Sequence, residues 1–193
     1  MRLILMGAPG SGKGTQGALL AQRLGVPAIS TGDIFRANVA ARTRLGGQAQ
    51  GYLDGGEYVP DEITNAMVRG RLAEPDTAGG FVLDGYPRTV SQIAYLDEVL
   101  RDAGTALDAV LWFSVEQDEV VRRLLERARV EGRADDTAEV IRRRQEIFLA
   151  QTAPLMGEYR YRGLLVKVDG AGTVGAIAQR VAGALARSGR APV

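Results

Sequence analysis

A glycine-rich stretch with a single lysine occupies residues 7–15 and reads Gly-Ala-Pro-Gly-Ser-Gly-Lys-Gly-Thr. It follows an apolar run, Leu3 to Met6, that is typical of a buried strand, and it precedes a helical pattern. In such a turn the glycines let successive backbone N–H groups face a phosphate, while the helix N-terminus and Lys13 add positive charge. The stretch therefore predicts a phosphate-binding P-loop.

The residue after the lysine departs from the commonest form of this loop. Many P-loops place a magnesium-binding hydroxyl there, whereas this chain has Gly14 and only then Thr15. Direct ligation of magnesium by the loop is therefore not predicted.

A second motif, Asp-Gly-Tyr-Pro-Arg-Thr at residues 84–89, follows another apolar run, Phe81 to Leu83. Ligands of open α/β sheets bind at the carboxyl ends of the strands, where this motif is expected to lie. Asp84 is suited to orienting magnesium-bound water, and Arg88 to a bidentate grip on a phosphate. The motif therefore predicts a second part of the same nucleotide site.

Arginines make up a third group of candidate residues. Arg123 and Arg127 stand four residues apart and therefore share one face of a predicted helix. Arg133 lies in a polar stretch, and Arg144 lies on the helix that follows it. Helices rich in arginine usually present a solvated face, and that interpretation applies to the remaining arginines of this region, namely Arg122, Arg129, Arg142 and Arg143.

Composition narrows the available chemistry. With 193 residues, 46% of them hydrophobic, the chain is expected to form one globular domain. Its net charge of +1, from 24 basic and 23 acidic residues, gives no overall field that favours nucleic acid or an anionic membrane. Cysteine and histidine are absent, which excludes disulfides, thiolate zinc sites and histidine acid–base catalysis. We therefore expect a cytoplasmic protein that works by positioning and electrostatics.

Short apolar runs alternate with longer helical patterns, which is typical of βαβ units. The predicted fold class is α/β, a three-layer P-loop sandwich in which helices cover both faces of a five-stranded parallel sheet. The predicted strands are Leu3 to Met6, Ala28 to Ser30, Phe81 to Leu83, Ala109 to Phe113 and Leu164 to Val168. The predicted helices are 13–24, 31–41, 60–73, 89–103, 116–130, 137–160 and 173–187.

Two stretches do not fit plain βαβ alternation. Residues 31–73 hold several helical pieces between consecutive strands, interrupted by Gly46-Gly47 and Gly55-Gly56, and are expected to leave the sheet. The polar residues 128–136 lie between two helices, as a short lid does. We therefore predict one domain, 1–193, with an insertion at 30–59 and a short lid at 127–137.

Three groups of residues occur together in order and resemble the adenylate kinase family, in its short-lid form, over nearly the whole chain. They are the loop with Lys13, then Ser30-Thr31-Gly32-Asp33 with Arg36, then residues 84–89 with Gln92. The lid arginines fit the same pattern. The resemblance implies phosphoryl transfer from ATP to AMP with Mg²⁺, by a monomer whose partners are ATP, AMP and ADP. The 30–59 insertion would then bind the nucleoside monophosphate.

Individual residues take their expected roles from this resemblance. Lys13, Asp84, Arg88, Arg123, Arg127, Arg133 and Arg144 are expected to be catalytic. ATP would be bound by Gly10, Ser11, Gly12, Lys13, Gly14, Thr15, Arg123, Arg127 and Gly172. AMP would be bound by Thr31, Arg36, Glu57, Tyr58, Val59, Gly85, Tyr86, Pro87, Arg88, Gln92, Arg133 and Arg144. Asp84 and Asp33 would hold Mg²⁺ through water, and no zinc site is expected.

Three alternatives remain open at this stage. A UMP/CMP kinase shares the loop, lid and arginines, although Thr31, Thr89 and Gln92 favour an adenine acceptor. A regulatory P-loop module would bind nucleotide without efficient turnover, but would be expected to lose the lid arginines. Finally, the turn before Thr173 is equally consistent with an adenine-flanking loop and with a strand-to-helix turn capped by that residue.

Overall fold

The computed structural model describes residues 1–131 and 137–189, apart from the side chains of residues 127, 130 and 131. Its centre is a parallel sheet of five strands in the order β2-β3-β1-β4-β5. The strands are β1 (Arg2–Gly7), β2 (Ala28–Ser30), β3 (Phe81–Asp84), β4 (Ala109–Ser114) and β5 (Leu165–Asp169). All five predicted strands are present, and the α/β fold class is confirmed.

Helices lie on both faces of this sheet. They are α1 (Lys13–Leu24), α2 (Thr31–Ala40), α3 (Arg44–Asp54), α4 (Asp61–Leu72), α5 (Val90–Asp102), α6 (Gln117–Glu131), α7 (Ala138–Ile147), α8 (Leu155–Tyr161) and α9 (Val174–Arg187). Alternate side chains of a strand point to opposite faces, so Leu3 and Leu5 pack with α1 and α9 while Ile4 and Met6 pack with α4, α5 and α8. Two hydrophobic cores thus hold the three layers together.

The segment between β2 and β3 contains a helix that the sequence analysis missed. The Gly46-Gly47 pair suggested an interruption, yet both glycines lie inside α3. A Cβ atom at Gly46 would stand 2.2 Å from the carbonyl oxygen of Asn38 on α2, a distance that no side chain tolerates. Gly46 is therefore needed for the close packing of α2 against α3, and it does not end the helix.

The helix predicted over 137–160 is also different in the structure. It consists of α7, a π-helical segment Phe148–Thr152, and the short α8. Pro154 precedes α8 and has no backbone N–H to continue the hydrogen-bond ladder of a longer helix. The prediction of one continuous helix was therefore wrong.

None of the helices among residues 1–131 and 137–189 is long and apolar enough to cross a membrane.

Candidate functional site

A cleft of about 690 Å³ opens at the carboxyl edge of the sheet. The strand ends β1 and β3 form its floor, and α2, α6 and α7 contribute walls. The predicted site residues that line it are Gly10, Gly12, Lys13, Gly14, Thr15, Asp33, Arg36, Glu57, Tyr58, Asp84, Gly85, Tyr86, Pro87, Arg88, Arg123 and Arg144. Segments far apart in the chain are thus brought together around one cavity.

The glycine-rich loop leaves β1 and leads directly into α1, which begins at Lys13. Gly10 and Gly12 have φ values of 86° and 88°, which residues with side chains rarely adopt. A Cβ at Gly10 would also lie 2.8 Å from Cγ of Leu124 on α6. Ser11, which is 1% exposed, does not line the cleft but lies buried within the loop. Glycine is therefore required both for the turn and for its packing on α6.

The ammonium group of Lys13 lies against its own loop. Nζ donates hydrogen bonds to the carbonyl oxygens of Gly7, at 2.7 Å, and Ala8, at 2.8 Å. The loop therefore holds this positive charge at the edge of the cleft, which Lys13 lines.

Asp84 ends β3 opposite the loop. A Cβ atom at Gly14 would stand 3.8 Å from Oδ2 of Asp84, so the carboxylate is adjacent to the start of α1. Its Oδ1 is buried and accepts no hydrogen bond within the described part of the chain. A buried anionic oxygen without a donor normally binds water or an ion, because its desolvation is costly. The residue is thus suited to orienting water around a cation.

The second predicted carboxylate, Asp33, is differently placed. It forms an ion pair with Arg36, three residues later on α2, and its side chain is largely exposed at the cleft wall. Among residues 1–131 and 137–189, no group of three or more acidic side chains forms a direct metal-binding cluster.

Arg123 is held at the cleft by two contacts. Its Nη2 donates to the carbonyl oxygen of Gly170 at 3.0 Å, and its Nε donates to Oε1 of Glu119 at 2.7 Å. Hydrogen bonds from Arg122 and Arg123 lower the pKa of Glu119 to about 2, so this carboxylate remains ionised near neutral pH. Glu119 therefore orients Arg123, a role that the sequence did not indicate.

Arg88 and Arg144 reach the cleft from other elements. The guanidinium of Arg88 lies 4.8 Å from the ring centroid of Tyr58, and its Nε donates to the carbonyl oxygen of Gly85 at 2.7 Å. Arg144 lines the cleft from α7. Of the other predicted arginines, Arg133 lies outside the described residues, as does the side chain of Arg127.

The arginines predicted to be solvated behave in two ways. Arg122 and Arg129 form ion pairs with Glu119 and Glu126 of their own helix, as exposed helical arginines commonly do. Arg143 instead reaches Glu57 of the 30–59 segment, with Nη2 and Oε1 2.6 Å apart. No local sequence pattern indicates that pair, because the two residues are 86 positions apart.

A smaller hollow of about 40 Å³ adjoins the cleft, with Gly85 and Arg88 lining both. The predicted AMP-site residues Thr31, Val59 and Gln92 line this hollow rather than the main cleft. The hydroxyl of Thr31 donates to the carbonyl oxygen of Gly85 at 3.0 Å. Thr31 and Gln92 are each 2% exposed, so both are buried polar side chains.

Tyr86 anchors the 84–89 motif. It is 1% exposed, and its hydroxyl donates to Oδ1 of Asn65 on α4 at 2.6 Å. Burial raises the pKa of its hydroxyl well above the ordinary value, so the group stays protonated and donates. The tyrosine therefore fixes the motif to α4.

The turn after β5 lies beside the loop rather than in the cleft. Gly172 has a φ of 100° and does not line the cleft, while a Cβ at Gly170 would stand 3.2 Å from the carbonyl oxygen of Ser11. Thr173 caps α9 by accepting a hydrogen bond from the backbone N–H of Ala176. The predicted cap by Thr173 is confirmed, and the contact of Gly172 with ATP stays a prediction.

The chain is similar in sequence to known proteins over most of its length. The model of the family described as adenylate kinase matches residues 5–164. A curated protein named adenylate kinase from Nocardioides sp. is 60% identical over 185 residues, covering 96% of this chain and 97% of its own length. Proteins of the same name from Thermobifida fusca and Kocuria rhizophila are 55% and 53% identical, and this chain covers 98% and 99% of them.

Proposed function

The chain belongs to the adenylate kinase family, and we propose that it reversibly transfers the terminal phosphoryl group of ATP to AMP, giving two ADP. It is a phosphotransferase that serves the balance of adenine nucleotides. One observation supports the proposal most strongly: a single cleft is lined by the Lys13 loop, by Asp84 and by arginines from several elements. A hollow with buried polar side chains adjoins that cleft.

Phosphoryl transfer requires positioning and positive charge more than covalent chemistry. The transition state spreads negative charge over the transferred group, so fixed cations stabilise it. Backbone N–H groups of the 10–15 loop and Lys13 would bind the ATP phosphates, with Arg123 and Arg127 approaching from α6. Arg144 and Arg133 would stabilise the negative charge of the phosphoryl group while it is transferred. The contact from Glu119 to Arg123 supports this arrangement because it fixes one cation in advance.

The acceptor would occupy the other end of the cleft. Arg36 and Arg88 are suited to the AMP phosphate, and both line the cleft. Thr31 and Gln92 would meet the adenine in the adjoining hollow, together with the backbone at 57–59. The ring of Tyr58 beneath the Arg88 guanidinium would keep that cation aimed at the phosphate.

Magnesium fits the residues at the loop. Asp84, with its buried oxygen lacking a donor, would hold Mg²⁺ through water, and Asp33 would contribute from the cleft wall. When bound with ATP, the ion would neutralise charge on the phosphate oxygens. The ion pair of Asp33 with Arg36 would need to loosen for such a contact, which gives Asp84 the leading role.

Two segments are proposed to close over the substrates and exclude water, which would otherwise accept the phosphoryl group. The 30–59 segment already touches α7 through the Arg143 and Glu57 ion pair. At Gly56, a Cβ would lie 3.1 Å from a methyl carbon of Val140, so glycine permits this close approach. The lid at 127–137 would close from the other side.

The reverse reaction provides a test that uses one substrate. Purified protein incubated with ADP and Mg²⁺ alone should form ATP and AMP in equal amounts until equilibrium is reached. Formation of AMP with inorganic phosphate, or no reaction, would contradict the proposal. A regulatory P-loop module would not carry out this exchange, so the experiment also separates the two functions.

The pyrimidine alternative is not favoured, since the relatives in the comparison are named adenylate kinase. We also propose that the protein works in the cytoplasm as a monomer, and that it has no nucleic-acid or membrane partner. This proposal rests on the balanced charge of the chain and on its lack of cysteine.

Arg133→Ala is expected to lower kcat at least about tenfold without changing the melting temperature, because a lid arginine contacts the phosphoryl group only during transfer. Arg129→Ala is the matched control, since Arg129 is exposed and forms an ion pair with Glu126 of its own helix. ADP production and thermal melting should be measured for both variants. Equal kinetics for the two would contradict the proposed role of Arg133.

Chelation of all divalent ions by EDTA should abolish turnover, and added Mg²⁺ should restore it. A zinc-selective chelator should leave the melting temperature unchanged, because the chain has no cysteine or histidine to hold a structural zinc. Calorimetry of the untreated and chelated protein measures the second effect. A clear fall in melting temperature after zinc removal would show that a structural metal had been overlooked.

A further inference from the structure

The side-chain amide of Gln92 is held by two partners, one that accepts a hydrogen bond and one that donates one. Its Nε2 donates to Oδ1 of Asp61, the first residue of α4, at 2.6 Å. Its Oε1 accepts from the backbone N–H of Arg88 at 2.7 Å. Gln92 is 2% exposed, so the protein rather than bulk solvent decides how the amide is oriented.

These partners permit only one orientation of the amide. The ionised carboxylate of Asp61 can only accept hydrogen bonds, and the backbone N–H of Arg88 can only donate one. After a rotation of the amide by 180°, Oε1 would face the carboxylate of Asp61, which is also an acceptor. Nε2 would then face the backbone N–H of Arg88, which is also a donor. The assignment of oxygen and nitrogen in Gln92 therefore follows from chemistry, which is the usual basis for assigning an amide.

Within the described part of the chain, an amide fixed in this way leaves one N–H on Nε2 and one lone pair on Oε1 without a partner. Gln92 lines the small hollow beside Thr31, so these groups are available to a base that enters it. The Watson–Crick edge of adenine carries an acceptor at N1 and a donor at the 6-amino group, which complements this pair. Hypoxanthine has the same shape but carries a donor at N1 and an acceptor at the 6-oxo group.

We propose that Asp61 is a positioning residue that sets the preference for a 6-amino purine over a 6-oxo purine by fixing the amide of Gln92. The proposal rests on the proposed function, in which the acceptor base lies against Gln92. Without Asp61, the amide would be able to turn and present its donor and acceptor in the opposite order. Discrimination against IMP would then fall, because a wrong base would no longer leave buried polar groups unpaired.

Asp61 also has contacts that are purely structural. Its Oδ2 accepts from the hydroxyls of Thr89, at 2.8 Å, and Ser91, and so ties α4 to the start of α5. Loss of that tie affects stability but does not reverse the amide. The contact through Oδ1 is therefore the one that a test of specificity must isolate.

Asp61→Ser keeps a polar residue in the first turn of α4 but is too short to reach Gln92. We expect the ratio of kcat/KM for AMP to that for IMP to fall at least about tenfold, mainly through a higher KM for AMP. Asp61→Asn retains an acceptor oxygen for Nε2, so its ratio of kcat/KM for AMP to that for IMP should stay close to the wild-type ratio. Ser91→Ala is the control, because it removes the contacts of that hydroxyl with Oδ2 of Asp61 and with Thr89 but leaves Oδ1 bonded to Gln92, and it should leave the ratio unchanged.

Gln92→Ala completes a double-mutant cycle. In the Gln92→Ala background, Asp61→Ser should not change the ratio of kcat/KM for AMP to that for IMP any further. If Asp61 acted on this ratio only through the structure of α4 and α5, the substitution would still lower it in that background. An unchanged ratio in Asp61→Ser, or an equal fall in Ser91→Ala, would overturn the inference. If the wild-type protein makes no ADP from ATP and AMP, the proposed function fails instead, and the two failures are thus distinct.

A second measurement does not depend on any variant folding. A neutron structure of the wild-type protein with AMP, which locates the deuterium atoms on nitrogen, should show Nε2 of Gln92 between Asp61 and N1 of the base, with Oε1 facing the 6-amino group. The reversed amide, or a base that does not contact Gln92, would overturn the inference.

Discussion

Replacing Lys13 with alanine is expected to lower kcat/KM at least about a hundredfold, because it removes a cation that follows the charge of the moving phosphoryl group. In the structure the ammonium group lies 2.7 Å from the carbonyl oxygen of Gly7 and faces the cleft. Its loss cannot be compensated by a neighbouring lysine, since Lys167 on β5 is the only other lysine of the chain.

Lys167 provides the matched control for this prediction. It is exposed and does not line the cleft, so Lys167→Ala should retain the activity of the wild-type protein. Steady-state rates of ADP formation should be measured for both variants, with circular dichroism to verify folding. Near-normal turnover by a folded Lys13→Ala variant would contradict the assignment of Lys13 as the phosphate lysine.

Acceptor choice is expected to produce the second large effect. AMP should exceed UMP and CMP at least about a hundredfold in kcat/KM, because Thr31 and Gln92 are buried polar groups that the wrong base leaves unpaired.

The measurement is a panel of nucleoside monophosphates with saturating ATP and Mg²⁺, in which ADP and the diphosphate of each acceptor are quantified. GMP serves as the purine control, since it tests whether size alone permits entry. Comparable rates with UMP and AMP would support the UMP/CMP kinase alternative and contradict the adenine site described here.

The sheet and the loop could be predicted from sequence because both follow from local patterns. A buried parallel strand is a short apolar run, and the 7–15 loop combines glycines and a lysine directly after such a run. The parallel arrangement and the position of Asp84 at the strand end then placed two parts of the cleft together. These features need no knowledge of distant partners.

The features that the sequence analysis missed depend on contacts between distant residues. The low helix propensity of glycine suggested that Gly46 would interrupt a helix. In the structure, α2 and α3 pack so closely at this position that only glycine fits inside α3. The hydrogen bond between Asp61 and Gln92 joins residues 31 positions apart, and no spacing rule predicts it. Such pairs become visible only when the tertiary structure brings the two helix N-termini together.

We propose that this protein moves a phosphoryl group between two adenine nucleotides, and the stoichiometry of the forward reaction distinguishes this transfer from hydrolysis of ATP. With ATP, AMP and Mg²⁺, two ADP should appear for each ATP consumed, without release of inorganic phosphate and without reaction when AMP is omitted. Consumption of ATP that is independent of AMP and matched by phosphate release would contradict the account.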